Sequence, residues 1–162
     1  MATRVVVSDA GPLIALGRLD LLSLLFELFD DVQVPHAVLA ECLARPELLD
    51  AQRIQAGVTG GLLHPCDALP VRADGLGDGE RAAIGRALEI GALLLADDRA
   101  ARRHARESGL VVIGTLGVLI RAKRIGSIAA VRPLIERLRA SGHRLSDETV
   151  AAALDAAGEK FS

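Results

Sequence analysis

A chain of 162 residues that is 51% apolar is long enough for one domain with a substantial core and too apolar for intrinsic disorder. Its formal net charge of −2 makes the whole molecule no electrostatic magnet for nucleic acid. With no Trp, no Tyr and only Phe26, Phe29 and Phe161 as aromatics, it lacks the platform on which RRM and OB-fold readers stack bases.

In chain order, Arg4–Asp9 (RVVVSD) is a β-branched run closed by a polar tip, which predicts a buried strand. GPLIALGRLDLLSLLFELF follows, with Pro12 suited to a first helical turn and Gly17 expected to split the stretch into two helices. Asp31–Pro35 (DVQVP) predicts a second strand. PHAVLAECLAR predicts a helix with Val38, Leu39 and Cys42 on one stripe. A further helix is expected from Pro46 to about Val58, then an edge strand in GGLLHPC because of Pro65, then a loop over LPVRADGLGDG. ERAAIGRALEI is an amphipathic helix, GALLLA a buried strand, DRAARRHARESG a basic helix and LVVIG a fifth strand. Helices are expected through TLGVLIRAKRIG, SIAAVRPLIERLRASG and SDETVAAALDAAG, the last opened by Ser146 as cap. Short aliphatic strands alternating with helices mean a parallel sheet covered on both faces. The expected architecture is therefore α/β, a single domain over residues 1–162 whose helical C-terminal extension begins near residue 128.

Ligands of such sheets bind outside the carboxyl ends of the strands, and acids gather there. Asp9 ends the first strand, and Asp97 and Asp98 end the fourth. Glu80 precedes Ile84 by four residues and shares its helix face, while Glu41 borders the Val38/Cys42 stripe. Each acid has an ordinary structural use. Asp98 and Asp9 can cap the helices that follow them, Glu80 suits a helix dipole, and Glu41 can be an edge residue. Taken jointly, Asp9, Glu41, Glu80 and Asp98, with Asp97 beside them, predict convergence. Clustered carboxylates repel unless a cation neutralises them. Hard divalent ions suit an all-oxygen site, so Mg²⁺ or Mn²⁺ is the expected cofactor. Two such ions about 3.5–4 Å apart can align a water and stabilise a leaving oxygen in phosphodiester cleavage. Arg99, Arg102, Arg103 and Arg106, which follow Asp98, are the expected phosphate contacts.

The remaining signals are weaker. GLGDGE is neither a Walker loop nor a Rossmann fingerprint, and reads as a flexible loop presenting Glu80. His36, His64, His104 and His143 show no zinc spacing, and there is no GxSxG elbow. Cys42 and Cys66 form no CxxC and read as small buried residues in a reducing compartment. Arg121, Lys123 and Arg124 read first as a solvated helix end, with a nucleic-acid contact as the alternative. No apolar run reaches membrane-spanning length and the first residues hold no signal-peptide core, so a cytoplasmic location without a membrane partner is expected.

The stretches VVVSDAGPLIAL, VPHAVLAECL, GDGERAAIGRALEIGALLLADDRAARRHARESGLVVIGTLGVLIRAKRIG and VRPLIERLRASGHRLSDETV together resemble the PIN domain, most of all a VapC-type branch. That resemblance covers nearly the whole chain. It implies an α/β/α sandwich, a metal-dependent ribonuclease activity, a role as the toxin of a toxin–antitoxin pair, a small antitoxin partner and a homodimer. The family's four acids fall on Asp9, Glu41, Glu80 and Asp98, with Asp97 the alternative if the register slips by one. Asp9 and Asp98 would hold the principal metal, Glu80 would share it or hold a second ion, and Glu41 would complete the shell and orient water. Two departures stand out: Ala10 and Ala96 occupy positions where the family commonly has a hydroxyl. They favour a rival, a PIN-like module that binds RNA or a partner without cleaving. A second rival, a phosphohydrolase of haloacid-dehalogenase type, wants D-x-D after the first strand and meets Gly11 instead.

Overall fold

The computed structural model describes residues 4–160. Phe161 and the first three residues of the N-terminal segment lie outside them. Among the described residues five strands form one sheet, every neighbouring pair parallel. They are β1 (Val5–Ser8), β2 (Asp31–Pro35), β3 (His64–Cys66), β4 (Leu93–Leu95) and β5 (Val112–Ile113). Nine helices connect and follow them among the described residues: α1 (Ala10–Arg18), α2 (Leu24–Leu28), α3 (His36–Cys42), α4 (Leu49–Thr59), α5 (Asp78–Ile90), α6 (Arg99–Glu107), α7 (Thr115–Arg124), α8 (Arg132–Ala140) and α9 (Asp147–Ala156).

The order β3-β2-β1-β4-β5 places the first strand at the centre. The chain moves outward from β1 to β2 to β3, then returns through α5 to β4 on the other side of β1. Because parallel crossovers are right-handed, reversing direction puts the outgoing and returning helices on opposite faces. The result is a three-layer α/β/α sandwich. Helix α5 packs on β1, β2 and β4, while α1 packs against α4 and α7. Val6, Val7, Leu94 and Leu95 are fully buried between the layers, the signature of central parallel strands. β3 lies at the edge, where Pro65 costs no ladder bond.

Three local expectations change. Gly17 does not interrupt its helix; α1 runs through it and stops at Leu19, ahead of Asp20 in the left-handed region (φ 57°). A Cβ on Gly17 would stand 3.1 Å from the Asp50 Cβ and 3.3 Å from its backbone. The glycine therefore permits close contact between α1 and α4 rather than a break. Helix α4 begins at Leu49, after a turn containing Pro46. Residues 127–131 are not helical; α8 starts at Arg132, where Pro133 fits the first turn. Glu159 then accepts hydrogen bonds from the Val131 and Arg132 amides at 2.7 and 3.0 Å and from Lys123 Nζ at 3.1 Å. Val131, Ile135, Leu138, Val150 and Leu154 of the C-terminal segment are buried in the same apolar cluster as the sheet.

Candidate active site

The reversal of strand direction lies between β1 and β4, and the Asp9 amide donates to the Leu95 carbonyl across it at 2.9 Å. Side chains that leave these two tips therefore enter one crevice, the place where open α/β sheets bind ligands. Asp9 occupies the N-cap position of α1, yet its side chain makes no capping bond. It is only 5% exposed, and its buried Oδ1 has no hydrogen-bond partner among the described residues. Burial first, then the neighbouring charges of Glu80, Glu41 and Asp98, push its carboxyl up to about 7, against the lowering influence of the Ala10 amide. The four acids expected to converge thus share one electrostatic environment.

The other members are held differently. Glu80 is half-buried in the first turn of α5, and its Oε1 accepts the Gly77 amide at 2.8 Å. This is the reciprocal half of a capping box, so the cap role and the cluster role coexist in one side chain. Burial and the neighbouring Asp98 and Glu41 carboxyls act to raise the Glu80 carboxyl above its ordinary value, outweighing the Gly77 amide. Asp98 is exposed and caps α6, its Oδ2 accepting the Ala101 amide at 2.9 Å. Glu41 is exposed on the last turn of α3, beside buried Val38 and Cys42.

Asp97 faces elsewhere. Its Oδ1 accepts the Thr115 amide at 2.7 Å and its Oδ2 accepts the Thr115 hydroxyl at 2.6 Å. Both oxygens are committed to the start of α7, and Asp97 is not among the charges that raise Asp9. Of the two aspartates, Asp98 is the one with an oxygen to spare beside the cluster.

The sequence model of a family described as PIN domain matches residues 5–159. The chain belongs to the PIN domain family. Members of this family are generally nucleases and usually use divalent metal ions. Among solved structures, this PIN domain is similar to a PilT N-terminus domain protein from the hyperthermophilic archaeon Sulfolobus solfataricus. The identity is 20% and the TM-score 0.47, over 73% of this chain and 92% of the other. It is also similar to a domain of a functionally unknown protein from Methanocaldococcus jannaschii, at 17% identity and TM-score 0.48, over 68% of this chain and 90% of that one. No curated protein matches in sequence.

The chemistry of this PIN domain's donors fits a hard divalent cation: carboxylates only, with a buried Oδ1 on Asp9 left without a proton donor. Their positions do not close a site. Among the described residues, no three His, Cys, Asp or Glu side chains are gathered to ligate one ion. One oxygen of Glu80 and one of Asp98 are spent on helix caps. Glu41 and Asp98 are exposed and so have room to turn inward. No helix among the described residues is long and apolar enough to cross a membrane.

Arg99, Arg102 and Arg106 line an open cavity of about 660 Å³ beside the crevice, whereas Arg103 is not among its lining residues. Thr115, His143 and Arg144 also line that cavity. Thr115 was reachable, because Gly114-Thr115 follows the fifth strand just as Asp9 follows the first. His143 and Arg144 come from the α8–α9 connection, and no local pattern marks them. Arg121, which reads in isolation as a solvated helix end, also lines this cavity. Lys123 is tied to Glu159 instead.

Proposed function

We propose that this PIN domain is a Mg²⁺- or Mn²⁺-dependent endoribonuclease, of the VapC-like toxin kind. The observation that carries the reading is the unpartnered, buried Oδ1 of Asp9 at the β1/β4 reversal, within reach of the charges of Glu41, Glu80 and Asp98. A carboxylate with so few proton donors costs free energy to ionise unless a cation joins it. Asp9 and Asp98 would hold the principal ion, Glu80 would share it or hold a second, and Glu41 would complete the shell. Bound there, the metal would supply a water acidic enough to attack phosphorus and would offset charge on the leaving oxygen. The chain's own groups do the rest. Glu41, exposed at the end of α3, would orient the water, and Arg99, Arg102 and Arg106 would grip the flanking phosphates.

RNA is expected to be cut only with divalent metal, and Asp9→Asn to abolish cutting. Cleavage by the Asn variant at the wild-type rate would remove Asp9 from the mechanism. The rival reading, a module that binds but does not cleave, is favoured by Ala10 and Ala96 and by the open arrangement of the acids. Calorimetric titration with Mn²⁺ followed by a nuclease assay separates the two, since metal binding without cleavage supports the rival. A small antitoxin and a second copy of the chain are the proposed partners. Co-expression with the product of a neighbouring short reading frame tests the first: failure to relieve growth arrest counts against it. Sedimentation equilibrium tests the second, and a monomer at micromolar concentration excludes the homodimer.

A further inference from the structure

The cavity beside the acid crevice concentrates positive charge. It is bounded by α6, the first turns of α7 and the α8–α9 connection, and has a volume of about 660 Å³. Five guanidinium groups line it, those of Arg99, Arg102, Arg106, Arg121 and Arg144. Among the described residues Asp97 is the one acid on its wall, and Thr115 donates to both of its oxygens. Among the described residues, Arg99, Arg106, Arg121 and Arg144 form no salt bridge with any acid. Arg102 spends one Nη on the Ala96 carbonyl at 2.9 Å. Gly114 makes this approach possible, since a Cβ there would fall 2.6 Å from the same Arg102 nitrogen. Arginines drawn from three separate elements and left without acids define a surface awaiting anionic charge.

The form of the cavity selects among anions. A single phosphate would seek the amides of a helix N-terminus, but the leading amide of α7 is already given to Asp97. The guanidinium groups instead rim an open groove, which suits several phosphates in a row. No Phe, Trp or Tyr lines the cavity, so affinity there rests chiefly on the phosphate backbone. We propose that this groove is the track for the phosphates of a single-stranded polynucleotide leaving the acid crevice on the β5 side. In it, Arg121 and Arg144 hold the phosphates beyond those held by Arg99, Arg102 and Arg106. The C-terminal segment is then a working part of the substrate surface. The proposal rests on the nucleic-acid reading above and deepens it by giving the strand one direction of exit.

The test is binding rather than cleavage, so that the two readings fail separately. A labelled single-stranded RNA of about twelve nucleotides is titrated by fluorescence anisotropy, in chelator, across a salt series. The Arg121→Gln/Arg144→Gln protein is expected to bind about tenfold more weakly near physiological salt, with the slope of log K against log salt smaller by about 1.4. Its urea midpoint should stay at the wild-type value, since neither side chain forms a hydrogen bond or salt bridge among the described residues. An Arg18→Gln/Arg124→Gln protein, which loses the same charge outside the groove, should retain the wild-type slope. Equal losses in both proteins would reduce the effect to net charge and overturn the proposal. Competition by adenosine monophosphate as strong as that by the oligomer would also overturn it, in favour of a small-anion pocket. Loss of the slope in a protein that never cleaves RNA would leave the groove standing and sink the nuclease reading alone.

Discussion

Replacing Asp9 with Asn should make the metal-free protein more stable, and increasingly so as pH rises. The wild-type carboxyl keeps its proton up to about pH 7 in the folded state, against 3.8 ordinarily. Between those values the folded state binds more protons than the unfolded chain. The slope of unfolding free energy with pH is therefore negative, and stability falls through this window. Above pH 7 both states are ionised and the whole cost persists. The rise in pKa corresponds to about 4 kcal/mol in total, of which about 3 kcal/mol falls between pH 5 and pH 8. Asn matches the shape of the protonated form and carries none of this slope. Urea unfolding of both proteins in chelator at pH 5 and pH 8 isolates the contribution of Asp9 and its charge coupling to Glu41, Glu80 and Asp98, because titrating groups away from the cluster cancel in the difference. The variant should gain about 3 kcal/mol on wild type between the two conditions. A constant difference would refute the claim that burial and like charge strain Asp9. Saturating Mn²⁺ should narrow the gap at pH 8, since a cation at a hundred times its dissociation constant adds about 2.7 kcal/mol to the protein that binds it.

The two neighbouring aspartates should separate by assay. Asp98→Asn is expected to lower cleavage at least a hundredfold with a stability change under about 1 kcal/mol, because Asn still caps α6. Asp97→Ala should cost about 2 kcal/mol by stranding the Thr115 amide and hydroxyl; the opposite pattern in denaturation and nuclease assays would exchange their roles. Gly85→Ala should destabilise by more than about 2 kcal/mol, since a Cβ there meets the Leu69 carbonyl carbon at 2.9 Å and its oxygen closer still. A wild-type melting temperature for that variant would mean that the Leu69 carbonyl does not lie against Gly85 of α5. Glu159→Ala should cost about 2 kcal/mol by releasing Lys123 and the amides of Val131 and Arg132. Those hydrogen bonds hold the Glu159 carboxyl below its ordinary 4.5. The stabilisation is therefore present above pH 4.5 and is lost as pH falls, so wild type and variant should converge in acid.

Much of the architecture is written locally. β-branched runs such as Val5–Val7 and the aliphatic run Leu93–Leu95, each closed by acid, announce buried parallel strands, and the strand-tip rule leads from them to Asp9 and Asp98. Glu80 and Glu41 are legible from their place relative to the apolar stripes of α5 and α3. These features depend on spacing along one element, and spacing is a property of sequence. What sequence could not decide depends on contacts between elements. Gly17 looks like a helix breaker until Asp50 of α4 is seen against it. Asp97 and Asp98 are equivalent neighbours on paper. Only the position of β5 beside β4 brings Thr115 to Asp97 and takes both its oxygens, leaving Asp98 to the crevice. Arg121 and Arg144 are 23 residues apart in the chain and reach the same groove only because α8 and α9 fold back onto the core. A side chain's charge and size are fixed by its codon, but the partner that satisfies or frustrates it is chosen by the packing of segments distant in sequence.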